Sequence, residues 1–335
     1  MQTEQNTKLT SSEISQLWTA YYNESLAICI FSHFLNNVED AEIKSVLNYS
    51  FELAQTHIEK LKLIFEKETF PLPVGFKLSE DVDLRAPRLF TDTYYLNFVA
   101  QLGSLGLTAY SMAVSFAIRK DINEFFIECL RESTELHTMT NEILLSKGLY
   151  IKSPITPIPN QVDFVKKDGF LKGFFGDVRP LSVVEITNLY ANIQRNAIGA
   201  ATMIGFSQVA KDPKVKNFIL KGKNIAKRHI EAFSKIMKND DLPIPMTWDA
   251  DVTESTEFTF SDKLILSLTT YLIGISIANY GVGISTSPRN DLAVQYGLLA
   301  TEIGQYAKEG IKILIENEWL EQPPLASDRD KLIHQ

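Results

Sequence analysis

Two histidines and two glutamates occupy matching places in the two halves of this chain: His57 and Glu132 in the first, His229 and Glu302 in the second. An imidazole beside a carboxylate can hold a buried hydrogen bond, move a proton or begin a metal site. A metal needs more donors than these two. The first half offers Glu24, Glu52, Glu135 and His137, whereas the second has Asn196, Asn224, Gln305 and Ala307 at the equivalent places. Any divalent metal would therefore belong to the first half, with His57, Glu132, Glu24 and Glu52 as candidate ligands. The two-metal set of helical bundles needs a Glu from each of two helices and a Glu-x-x-His pair from each of the other two. That set is missing, which argues against a di-iron oxidase. Three readings stay open for the repeated His and Glu: a buried hydrogen bond that fixes packing, solvent-facing residues matched by ancestry, or a metal site. Glycine-rich phosphate loops, nucleophile elbows, paired zinc cysteines and zincin motifs do not occur.

The elements that position these residues come from a duplication. Residues 9 to 73 align with 181 to 245 without a gap, so that Glu13, Leu17, His57 and Pro71 meet Glu185, Leu189, His229 and Pro243. After a two-residue adjustment, Phe90, Tyr110, Arg119 and Glu132 meet Phe260, Tyr280, Arg289 and Glu302. Each copy reads as four helices, over 11–37, 39–68, 90–119 and 121–147, and then 181–209, 212–240, 260–286 and 290–318. The second helix carries Leu47, Phe51, Ala54, Ile58, Leu61 and Phe65 at alternating three- and four-residue spacing, which makes one apolar stripe. Thr91 and Ser261 are expected N-caps of the third helices. Asp121 and Asp291 are expected to cap the fourth.

Short joints make helices one and two, and helices three and four, antiparallel neighbours. Between helices two and three lie some 20 residues, opened by Pro71 and Pro73 or Pro243 and Pro245. Proline stops the helix there and keeps the chain extended. An extended stretch of that length reaches ~65 Å, and a helix of 28 residues is ~42 Å long. The joint can therefore run the whole length of a bundle. The expected fold is all-α: two tandem ferritin-like four-helix bundles, each with a long crossover between helices two and three. With that connectivity His57 and Glu132 stand at the same level on antiparallel helices.

The expected boundaries are 1–150 for the first bundle, 151–180 for a linker and 181–335 for the second. Residues 1–155 are then expected to fold alone. The linker carries Phe164, Phe170, Phe174 and Phe175 among lysines and glycines. It reads as a clamp in the seam between bundles, or else as a basic, aromatic element for a membrane surface or partner. Thr93–Ile118 and Leu264–Pro288 contain no charged residue, and both read as buried central helices rather than membrane spans. The net charge of −8 is spread along the chain and argues against a nucleic-acid partner. Cys29 and Cys129 lie within apolar helices and read as buried thiols of a reducing compartment. The first residues lack the pattern of a secretory signal, so the expected location is cytoplasmic.

The segments LTSSEISQLW, AQTHIEKL, APRLFTD, LLSKGLY, FFGDVRPL, PMTWDADVTEST and NEWLEQPP occur in this order. Together they resemble the uncharacterised family known as domain of unknown function 3231, found mainly in endospore-forming bacilli and their relatives. The resemblance covers nearly the whole chain. It implies a ferritin-like fold and a sporulation, coat or stress association, and it supplies no catalytic residues. The resulting expectation is a non-catalytic helical protein with a structural or interaction role and no cofactor, partnered by another protein or by itself. The alternative is a divalent-metal-binding or redox protein with a degenerate ferritin-like site in the first bundle.

Overall fold

The computed structural model describes residues 8–174 and 178–333. Met1–Thr7, Phe175 and Gly176, on which sequence expectations also fell, lie outside the described residues. The described residues form no strand, and eight long helices build two bundles. The first bundle comprises α1 (Ser11–Asn37), α2 (Ala41–Lys67), a short α3 (Leu78–Asp81), α4 (Asp92–Phe116) and α5 (Lys120–Ser146). The second comprises α6 (Val183–Val209), α7 (Pro213–Lys238), α8 (Asp262–Thr286) and α9 (Asn290–Glu316), followed by a short α10 (Arg329–Ile333).

Charged groups at the helix ends show the connectivity. Lys147, just past α5, reaches Asp40 before α2 at 2.7 Å, and Lys67 at the end of α2 approaches Asp121 in α5 at 3.4 Å. Helices α2 and α5 are therefore antiparallel. Asp92 in the first turn of α4 accepts from the backbone N–H groups of Glu39 and Asp40, so α2 and α4 start side by side and run parallel. Asp262 does the same for Lys211 and Asp212. Parallel second and third helices require the long crossover.

Thr10 and Ser182 form capping boxes with Glu13 and Glu185, which satisfies orphan amides at the starts of α1 and α6. Glu13 also accepts from the amides of Ile118 and Arg119 at 3.0 and 2.8 Å, which ties the start of α1 to the start of α5. Burial works against a charge on Glu185, yet hydrogen bonds from Arg179, Ser182 and Arg289 pull its pKa down to about 2. Thr91 and Ser261 cap α4 and α8 as expected. The expected caps at Asp121 and Asp291 are not formed. Arg119 and Arg289 hold the N-cap positions, and the aspartates, two residues further on, pair with them at 2.7 Å.

The two crossovers meet each other between the bundles. Val82 bridges Phe260 and Phe90 bridges Val252, both antiparallel. Backbone amides of Asp83, Thr91, Thr253 and Ser261 donate across this ribbon to Thr259, Asp251, Leu89 and Asp81. The two ends are equivalent: Thr91 Oγ1 donates to Asp251 at 2.5 Å, and Ser261 Oγ donates to Asp81 at 2.6 Å. Each copy thus fastens the N-cap residue of the other copy's third helix, in a pseudo-twofold arrangement. The Phe90 ring lies against Phe206, and His33 against Phe260. One continuous set of buried apolar side chains runs through both bundles, and a smaller set around Leu17, Ile58, Leu61, Phe65 and Phe126 fills the far end of the first.

Two further sequence readings change. The described linker phenylalanines do not fill the seam: Phe164 is 79% and Phe174 55% exposed, and Phe170 stacks under the Arg179 guanidinium. The crossovers already occupy the seam. The uncharged α4 and α8 are mostly buried in their first halves, and later only Ala113, Tyr280 and Gly283 are buried. Toward their ends Met112, Phe116, Val282 and Ile284 are exposed, because α4 and α8 lean across the neighbouring copy at one end and lack a cover at the other. By length and composition α8 could cross a membrane.

Candidate functional site

His57 sits on the inward face of α2 and is 3% exposed. Its Nδ1 lies 2.8 Å from Glu24 Oε1 of α1, and its Nε2 lies 2.7 Å from Glu132 Oε2 of α5. Tyr110 of α4 donates its hydroxyl to the same Glu24 oxygen. All four helices of the bundle therefore contribute to one centre. Cys129, one turn before Glu132, joins it: a His57 ring nitrogen, the Cys129 Sγ and a Glu132 oxygen lie within 4.8 Å of one another. The rings of Tyr110 and Phe125 stand edge-on to the imidazole.

Burial disfavours a charge on His57, but Glu24, Cys129 and Glu132 outweigh it and raise the imidazole pKa well above its usual value. With a carboxylate on each nitrogen the ring is an imidazolium that donates at both ends. Burial holds the Cys129 thiol in its protonated form, with His57 opposing that shift.

Of the candidates named from the sequence, His57, Glu132 and Glu24 come together. Glu52 is exposed and stands apart, since five residues on a helix turn a side chain about 140° away from His57. Glu135 is exposed and faces Arg131 at 3.6 Å, while His137 bonds to Asn141. Cys129 and Tyr110 were not among the candidates. Two signals could have found them: Cys129 precedes Glu132 by three residues on one face of α5, and Tyr110 recurs as Tyr280.

The second copy holds a different version of the centre. His229 Nε2 lies 3.0 Å from Glu302 Oε2, while its Nδ1 meets the Tyr280 hydroxyl at 2.8 Å. Asn196 stands where the first copy has Glu24, and it donates to Tyr280 at 2.9 Å. With only one carboxylate, and with Arg228 drawing on that carboxylate, burial prevails and the His229 pKa falls below its usual value. Leu299 takes the place of Cys129. One centre is thus cationic at its histidine and the other neutral.

The family model described as "Protein of unknown function (DUF3231)" matches residues 1–162 and again residues 169–332. The chain belongs to this family. The DUF3231 unit is therefore the single bundle with its crossover, present twice. A Bacillus halodurans protein provisionally assigned to the spore coat, solved by crystallography, is similar over 46% of this chain and 99% of its own. It is 18% identical with a TM-score of 0.41, a likeness too low to speak for function. No curated protein matches the chain.

Chemically, the first centre can do one of two things. As it stands, it is a closed Glu–His–Glu bridge that links three helices. Alternatively, His57 Nε2, Glu132 and Cys129 could hold a divalent ion such as zinc, with Glu24 on Nδ1 as the outer carboxylate that orients a metal-bound histidine. The second centre lacks the donors for that.

Proposed function

We propose that this DUF3231 protein is a non-catalytic structural protein, a pair of bundles locked into one body that presents its surfaces to a protein partner or to a second copy of itself. The observation that supports this reading best is how the buried polar groups are spent. In both copies the histidine, its carboxylate and the repeated tyrosine belong to one hydrogen-bonded network across the helices, the tyrosine reaching His57 through Glu24 in the first and His229 directly in the second. Such a network fixes the register of the packed helices. The matched apolar ends of α4 and α8, with Met112 in one and Val282 in the other, support an interaction role. The family resemblance supports a sporulation or stress association, and the buried thiols Cys29 and Cys129 support a cytoplasmic place.

A second reading, divalent-metal binding, is favoured by one observation, the convergence of His57, Cys129 and Glu132. It requires His57 and Cys129 each to give up a proton, since metal ligands bind deprotonated. Elemental analysis separates the two readings. Protein loaded with zinc, manganese or iron(II) and then washed should keep no stoichiometric ion, and a chelator should leave its melting temperature unchanged. A stoichiometric ion that is lost in His57→Ala and raises the melting temperature would overturn the structural reading in favour of the metal.

A further inference from the structure

One cavity lies beside the second centre, with Asn196 in its wall and no histidine lining it. It measures about 90 Å³ and enters the interior of the second bundle. Its floor is apolar and buried, with Ile225 and Ala226 on α7 and Ile303 on α9. Its mouth is formed by half-buried residues of the two uncharged helices, Leu102 and Leu105 on α4 and Ile275 on α8. One charged residue lines it, Arg195 of α6.

Asn196, Thr202 and Tyr306, which line the cavity with Arg195, have their polar atoms committed elsewhere. Asn196 donates to Tyr280 and to the Asn192 carbonyl, Thr202 bonds to Tyr94 and to the Ile198 carbonyl, and the Tyr306 hydroxyl donates to the Phe218 carbonyl. Among the described residues nothing pairs with the Arg195 guanidinium, and burial depresses its pKa. A partly desolvated, unpaired guanidinium is costly, and its planar fork matches a carboxylate.

The pseudo-twofold supplies an internal comparison. The position equivalent to Arg195 is Asn23, and the residue equivalent to Gln101 is Tyr271. In that half Tyr271 fills the space and bonds to Asn23. On the Arg195 side the shorter Gln101 leaves the space open and a cation replaces the amide. Gly199, which also lines the cavity, has nothing within 4 Å of where a Cβ would stand. The two copies have thus diverged in a paired way, toward an opening and a positive charge together.

We propose that this cavity binds a medium-chain aliphatic carboxylate, with its alkyl chain among the residues of α7, α8 and α9 and its carboxylate on Arg195. The apolar floor selects the chain, the lone guanidinium selects the anion, and the α4–α8 mouth admits a narrow ligand.

Calorimetric titration of the full chain with sodium decanoate, below its micelle concentration, tests this. Saturable binding of one decanoate per chain is expected, with no matching binding of decylamine. Arg195→Gln should weaken binding by roughly tenfold or more, as expected for a lost charge-assisted hydrogen bond. Gly199→Leu fills the cavity from a helical position that favours leucine over glycine, so it should fold and not bind. No saturable binding, decylamine binding as tightly as decanoate, or wild-type binding in both variants would overturn the proposal.

Discussion

His57→Ala should destabilise the protein by about 3–5 kcal/mol, the cost of breaking a buried ion pair and leaving its partner charged. Two carboxylates lose the imidazolium in this variant and keep, among the described residues, only the Tyr110 hydroxyl and a 3.7 Å approach of Arg131, and both are well covered, with Glu24 12% and Glu132 10% exposed at the side chain. His229→Ala should cost less, about 1–3 kcal/mol, the penalty of unsatisfied neutral groups. There Glu302 is 38% exposed and keeps Arg228. Urea denaturation of the two variants beside the wild type measures the difference. The pH dependence adds an independent check. The His57 pKa is raised in the folded chain, so its contribution is complete below the unfolded value near 6.5 and fades as pH rises through the folded value. His229 is lowered, so its effect has the opposite sign: it costs nothing above 6.5 and destabilises as pH falls. Wild-type protein should lose stability on the alkaline side of neutrality, and His57→Ala should lack that component. Equal costs for the two alanine variants would count against the asymmetry between the copies.

Residues 1–155 expressed alone should not unfold cooperatively, although helical signal should remain. The sequence suggests two independent cores, yet the buried side chains of the first copy continue into the second. Removing the second copy uncovers Val82, Leu89, Phe90 and Tyr94, all buried in the full chain. At about 1.5–3 kcal/mol for each large apolar side chain, the loss is on the order of 10 kcal/mol, comparable with the whole net stability of a domain. The ribbon bonds of Thr91 to Asp251 and Ser261 to Asp81 disappear with it. Mixing the fragment with residues 156–335 should restore a single sharp transition. A cooperative melt of 1–155 alone, near that of the full chain, would mean that the seam contributes little.

What could be read from the sequence was whatever depends on local chemistry or on helix geometry. Pro71 and Pro73 announce an extended joint, Thr91 and Ser261 announce helix starts, and a constant rise per residue brings His57 level with Glu132. What could not be read was where extended chain goes. Nothing local in Asp81–Thr91 says that it will pair with Asp251–Ser261, since that pairing is set by how two bundles dock. The linker phenylalanines mislead for the same reason, because apolar character does not reveal what a side chain will meet. Arg119 and Asp121 mislead over two residues, since an aspartate near a helix start can serve as cap or as ion-pair partner to the residue that takes the cap. In the site itself, the exchange of Glu24 for Asn196 was visible, but its consequence was not. Only the geometry shows that Tyr280 then turns to His229 and leaves that ring neutral.

His57 is a doubly hydrogen-bonded imidazolium in a closed bridge. Nitrogen-15 NMR of the histidine side chains at neutral pH, recorded with and without added zinc, measures this directly. The predicted result is a His57 ring protonated at both nitrogens and unmoved by zinc, beside a neutral His229. A neutral His57 ring, or one whose nitrogen shift moves on stoichiometric zinc addition, would contradict it.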